Sequence, residues 1–184
     1  MRFLTLFVLF LIGIIFTACP YESDIAITTS KSALKIEPSF KGEWVAYHED
    51  GAKEELQIIK VDKTTYGVLH KHFAPKNKLK ANYKYTVHFT SINQTKILNI
   101  KNKAGKFLFS KYNWEGKNIF TLESINADFM NTNFKADTVS TVSLRNFLSE
   151  NISNEKLYDE GLEFYRKYSP EYEKVRMYLN RSGF

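Results

Sequence analysis

The sequence predicts an α+β protein that is mainly antiparallel β. The expected form is a meander or partly open barrel of about seven to eight strands, with a C-terminal helical segment packed on it. Three observations predict this. Short runs of alternating apolar and polar residues follow one another from Gly42 to about Ile125. Turn-forming residues separate them too closely for crossover helices, so neighbouring strands must be antiparallel. After Asp137 the apolar spacing switches from that of a strand to that of a helix.

The clearest strand is Tyr83–Thr90. Tyr83, Tyr85, Val87 and Phe89 alternate with Lys84, Thr86, His88 and Thr90, which gives one apolar face. Less regular runs occur at Glu43–His48, Leu56–Val61, Thr64–Phe73, Lys96–Lys101, Lys106–Tyr112 and Asn118–Ser124. Turns are expected at Glu49-Asp50-Gly51, Asp62-Lys63, Ser91 to Gln94, Asn102 to Gly105 and Glu115-Gly116. An open sheet in this order leaves two unpaired edges, and curling into a barrel removes them.

Three helices are expected in the tail, about residues 140–184. Ser143 is placed as an N-cap ahead of Leu144, Phe147 and Leu148. Leu157, Tyr158, Leu162, Tyr165 and Tyr168 suggest a second helix. Ser169-Pro170-Glu171 opens a third with a cap, a proline in the first turn and an acid. Tyr172, Val175 and Leu179 form its apolar stripe, and Gly183 ends it. The aromatics of this tail read as a face that packs on the sheet.

The front of the chain carries an address. Arg2 precedes an apolar run from Phe3 to Phe16, followed by Thr17-Ala18-Cys19. This order is that of a secretory signal peptide, and the run falls short of the roughly 18 residues a membrane span needs. Cys19 is the one cysteine of the chain. Its place directly after Ala18 resembles the cleavage site of bacterial lipoproteins. The resemblance implies cleavage between Ala18 and Cys19, lipid attached to Cys19, and a protein held on the outer membrane, at its periplasmic face or the cell surface. Residues 1–18 are then signal peptide, 19–39 the lipidated cysteine with a polar tether, and 40–184 the folded domain. Glu22 and Asp24 suggest either a surface-sorting signal or an ordinary solvated linker.

The formal net charge of +6 on 184 residues is mild and gives no case for nucleic acid as a partner. Lys71, Lys76, Lys78 and Lys80 form the one basic patch interleaved with aromatics, a candidate ligand or surface patch. Anionic lipid suits it better than a nucleic acid in a membrane-anchored protein.

Gly42-Glu43-Trp44 resembles the Gly-x-Trp at the start of lipocalin barrels. Together with Cys19, Ser23-Asp24-Ile25, Lys96–Ile100 and Phe107–Tyr112, it makes the chain similar to small Bacteroidota-type lipoproteins with a lipocalin-like domain. The resemblance implies structural roles for Gly42 and Trp44 and an arginine of the last strand stacked on the tryptophan. Arg145 falls at a predicted helix start, so that partner is unassigned.

The motifs of catalysis are missing. There is no Gly-x-Ser-x-Gly elbow and no phosphate-cradling glycine loop. Glu54, Glu55 and Glu115 lie near turns, with nothing pairing them for glycoside hydrolysis. His48, His70, His72 and His88 all fall in expected strands. His70 and His72 leave the same sheet face, and a neighbouring strand could bring His88 or His48 near. The expected function is a non-catalytic module without cofactor or metal, for an apolar ligand or another envelope component. The alternative is a metal-dependent or other hydrolase using the His70, His72 and His88 faces.

Overall fold

The alternating runs close into a barrel in a computed structural model of the chain, which describes residues 20–136 and 138–181. Met1 to Cys19, Asp137 and Ser182 to Phe184 lie outside the described residues. With them go the expected signal peptide, its cleavage site at Ala18, the lipid site at Cys19 and the helix end at Gly183. The strands are β1 (Glu22–Ser23), β2 (Gly42–Tyr47), β3 (Lys53–Lys60), β4 (Thr65–Ala74), β5 (Lys78–Ile92), β6 (Thr95–Lys101), β7 (Phe107–Trp114), β8 (Ile119–Ser124) and β9 (Leu162–Arg166). The helices are α1 (Ala127–Asn133), α2 (Thr141–Asn151) and α3 (Pro170–Arg181).

Strands β2 to β8 run as an antiparallel meander, and β9 pairs with both β8 and β2, so the sheet has no open seam. Eight strands form the barrel. The short β1 pairs with Phe107 and Leu108 of β7, beside the stretch that β8 uses. The ladder between β5 and β6 turns through Asn93 and Gln94, both at positive φ (48° and 70°). Two such residues match the right-handed twist of the strands they join.

β9 corrects the second expected helix. Leu157 to Tyr168 carries both periods, since Leu162 and Phe164 also alternate as a strand. Tertiary pairing decides between them: Phe120 faces Phe164 across the ladder, and their rings stack at 5.3 Å. Gly161 precedes the strand because a Cβ there would stand 2.7 Å from Thr121 Cγ2 on β8. The region after residue 140 is therefore helix, strand and helix. At its start Ser140 is the N-cap, accepting from the Ser143 N–H while the Ser143 hydroxyl accepts from the Ser140 N–H. Ser143 is thus the reciprocal partner of the cap. The sequence pattern also gave no sign of α1, whose N-cap Asn126 accepts from Phe129 N at 2.7 Å.

Residues 20–40 are laid against the barrel, in contrast to the expected tether. Ile27 is buried, Leu34 N donates to Phe89 O, and Ile36 N donates to Lys63 O. Pro38–Phe40 forms a 3-10 turn that inserts Phe40 into the end of the barrel.

Two cores result. The barrel interior holds Phe40, Trp44, Leu56, Tyr66, Phe89, Tyr112, Phe120 and Phe164. A second core lies outside, where Ile97 and Phe109 of the outer sheet face meet Ile27, Met130 of α1, and Leu144 and Leu148 of α2.

The side chain stacked on Trp44 is Arg166 of β9. Its guanidinium lies 4.2 Å from the Trp44 ring centroid and donates to Lys41 O (3.0 Å) and to Ser39 O. Trp44 Nε1 donates to Phe40 O at 2.9 Å. Gly42 serves the same arrangement. Its φ is +130°, and a Cβ would stand 2.9 Å from Arg166 Nη1. Arg145 belongs elsewhere: it donates from α2 to Ser91 O at 2.8 Å.

Candidate functional site

Inward-facing positions of the strands change character from one end of the barrel to the other. Near the start of β2 they are large and aromatic. Phe40 lies 4.7 to 5.2 Å, centroid to centroid, from Phe89, Tyr112, Trp114 and Phe120. Glu37 seals this end. Its carboxylate accepts from Tyr112 Oη (2.7 Å), Trp114 Nε1 (3.2 Å) and Lys96 Nζ, while its backbone carbonyl accepts from Tyr66 Oη (2.7 Å). Burial alone would raise the Glu37 pKa, but these donors outweigh it and hold the carboxyl below its ordinary value.

Beyond this aromatic layer the inward side chains are aliphatic, and a cavity of about 500 Å³ opens. Leu56, Ile58, Val68, Val87, Leu98, Ile100, Leu122 and Leu162 supply its apolar wall, with Ser110 and Ser124 on one side. A size within roughly 300–1,000 Å³, apolar walls and few polar groups are the usual make-up of a small-molecule site. At the mouth stand Glu54, His70, His72, Tyr83, Tyr85, Asp159 and Glu160. Tyr85 is half-buried, and burial raises its pKa.

Strand register assembles the polar side of the mouth. On the β3–β4 ladder Glu54 pairs with His72 and Leu56 pairs with His70. His70 Nε2 lies 2.6 Å from Glu54 Oε2, His48 Nε2 lies 3.0 Å from Glu54 Oε1, and His72 Nδ1 lies 3.8 Å from Glu54 Oε1. The Glu54 side chain is only 14% exposed. Burial pushes its pKa up, but the hydrogen bond and charge of His70, helped by His72 and His48, bring it below the ordinary value. For His72, burial and the neighbouring His70 lower the pKa and Glu54 only partly opposes them.

His88 does not join this group, which corrects the grouping with His70 and His72. It pairs with Thr65 and faces outward from β5, where Nε2 lies 2.8 Å from Thr28 O. Burial lowers its pKa. Glu54 takes its place, a residue that sequence reasoning left as a turn-adjacent carboxylate. The missing signal was register: only the pairing of β3 with β4 brings Glu54 opposite His72.

The lysine patch divides. Lys71 alternates with His70 and His72 and so lies on the outer face, in a shallow groove with Glu43, Glu55 and Lys167. Lys76, Lys78 and Lys80 are exposed at the β4–β5 hairpin. The hairpin turns at Pro75–Asn77, with β5 already begun at Lys78. Tyr83 and Tyr85 face inward with Val87 and Phe89. Among the described residues, no helix is long and apolar enough to cross a membrane.

Comparison with known proteins locates the chain only at the level of family. No curated protein matches it. The solved structure of a de novo designed, fluorescence-activating β-barrel aligns with 73% of this chain and 99% of its own at 9% identity. Its TM-score is 0.42, so the barrel assignment rests on the strand ladders of the chain itself. The profile of "Domain of unknown function (DUF4833)" matches residues 24–151, which span β2 to β8, α1 and α2. With that match covering more than half of its length, the chain belongs to the DUF4833 family.

Proposed function

We propose that this protein is a non-catalytic binding module, anchored to the outer membrane through lipid on Cys19, whose barrel holds an apolar ligand. The observation that carries the reading is the cavity of about 500 Å³, apolar along its walls and polar at its mouth. A barrel of this strand number has an interior just wide enough either to fill with side chains or to hold one small ligand. Here one end does the first and leaves room at the other for the second. The anchor rests on the segment Arg2, Phe3–Phe16 and Ala18-Cys19. Two acyl chains give stable attachment, so the domain needs no apolar surface of its own to stay there.

Titration of the full chain, held in detergent, with anilinonaphthalene sulfonate tests the cavity. Saturable binding of one equivalent supports the reading, and native mass spectrometry of protein taken from the envelope should show one retained adduct. An empty protein that also excludes the probe would refute it. For the anchor, Cys19→Ala should abolish lipid labelling and release the protein from the membrane fraction. Retention on the membrane would refute lipid attachment there.

A further inference from the structure

We infer that Glu54, His70 and His72 form a binding site for one divalent first-row transition ion of the Zn²⁺ class, at the mouth of the barrel. The donors come from paired strands, so the backbone fixes their relation. His70 and His72 are two apart on β4 and share the inner face, and Glu54 faces His72 from β3. The two imidazole centroids are 4.1 Å apart. One ligand atom from each of the three residues lies within 4.8 Å of the other two. Donors bound to one tetrahedral Zn²⁺ at about 2.0–2.2 Å stand roughly 3.3–3.6 Å apart. Side-chain rotation has to close that gap for the three to share an ion.

The donor chemistry matches. Two imidazoles and a carboxylate are an established set for Zn²⁺ and, with open positions, for Fe²⁺. The surroundings of Glu54 are compatible with a cation. Its half-buried carboxylate is partnered by imidazoles, the side chains that also ligate metals. Among the described residues the ion-pair partners of Glu54 are His48, His70 and His72, with no lysine or arginine. Lys71 lies on the other face of β4, and Lys53 is paired with Glu55 at 2.8 Å. Neither lysine therefore opposes a cation here. His48 stands 3.0 Å from Glu54 Oε1 and holds the carboxylate in orientation, as outer groups do around metal ligands. Three protein donors leave a four-coordinate ion one position for water or for the polar head of a cavity ligand.

The inference goes beyond the apolar-ligand reading and does not depend on it, because the test uses the metal alone. The full chain in detergent, freed of metal by chelation, is titrated with Co²⁺ and Zn²⁺. The expected result is one saturable equivalent, visible d–d absorption with Co²⁺, and movement of the His70 and His72 imidazole resonances with Zn²⁺ while those of His88 stay in place. The double variant His70→Ala/His72→Ala should lose saturable binding, His48→Ala should weaken it about 10–100-fold, and Lys71→Ala should leave it unchanged. A wild-type chain that binds no equivalent, or a folded double variant that binds as well as wild type, overturns the site. If the double variant does not fold, the imidazole spectra of the unaltered chain decide. Resonances of His70 and His72 that stay fixed in excess Zn²⁺ overturn it equally.

Discussion

At the closed end of the barrel, Phe40 lies within 5.2 Å of four other aromatic rings, and Glu37 accepts three side-chain hydrogen bonds. At the mouth, the same strands bring leucine, isoleucine and valine around an open volume, and a carboxylate sits among imidazoles. Both ends use the same inward parity, so parity does not distinguish them. What does is a segment from outside the meander. Residues 36–40 cross the closed end and add Phe40 to it, while Pro20, Asp159 and Glu160 line the cavity towards the other end. Stability and room for a ligand are thus separated along the barrel axis. Interior packing leaves little slack where it is complete, and the space is concentrated at one end.

The largest effect should come from removing the plug. Phe40→Ala should cost about 3–5 kcal/mol, read as the shift in urea midpoint at constant slope, because the surrounding rings cannot all collapse inward. A cost below about 1 kcal/mol would mean that the closed end is not closed. Next, Gly42→Ala places a Cβ against Arg166 at a backbone conformation that L-residues avoid, and should cost about 1–3 kcal/mol. Pairing it with Arg166→Ala separates the two causes. If the double variant is no worse than the arginine change alone, the clash dominates; if the penalties add, backbone strain does.

At the mouth the expected response is of a different kind. Ile100→Trp fills part of the cavity and should alter stability by only about 1 kcal/mol. Binding of anilinonaphthalene sulfonate should fall about tenfold, a loss of about 1.4 kcal/mol. Equal probe binding in the variant would place the probe outside the barrel. The smallest effect is on acid stability. The folded protein holds Glu37 below its ordinary pKa of 4.5. Its contribution is therefore complete above that pH and is lost as pH falls through the lower folded value. Glu37→Gln should flatten the acid limb of the stability profile, and an unchanged limb would assign the acid sensitivity to other carboxyls.

How much of this was legible in the sequence varies by region. The meander was readable because alternation at Tyr83–Phe89 and its neighbours is a local signal. The third helix was readable for the same reason, through Ser169-Pro170. β9 was not, since Leu157 to Tyr168 satisfies two periods and only pairing with Phe120 chooses one. Arg166 was hidden with it, so the partner of Trp44 could not be assigned. The mouth was half visible. His70 and His72 share a face by spacing alone, but Glu54 joins them by β3–β4 register, and His88 leaves them by the parity of β5. The packing of residues 20–40 was illegible for a related reason: polar composition hides a few anchors such as Ile27 and Phe40.

The place of β9 has a consequence for how the chain acquires its shape. Strands β2 to β8 complete a local meander by residue 124, yet the strand that joins β8 to β2 begins only at Leu162. A chain emerging from its N-terminus therefore passes through a stage with seven barrel strands formed and two bare edges. Such edges pair readily with other chains. Closure also has the largest loop to bring together, because β9 must find β2, more than a hundred residues earlier. Ring closure should thus be the slow step of folding, and α1 and α2 lie in the segment between β8 and β9 that closure has to span.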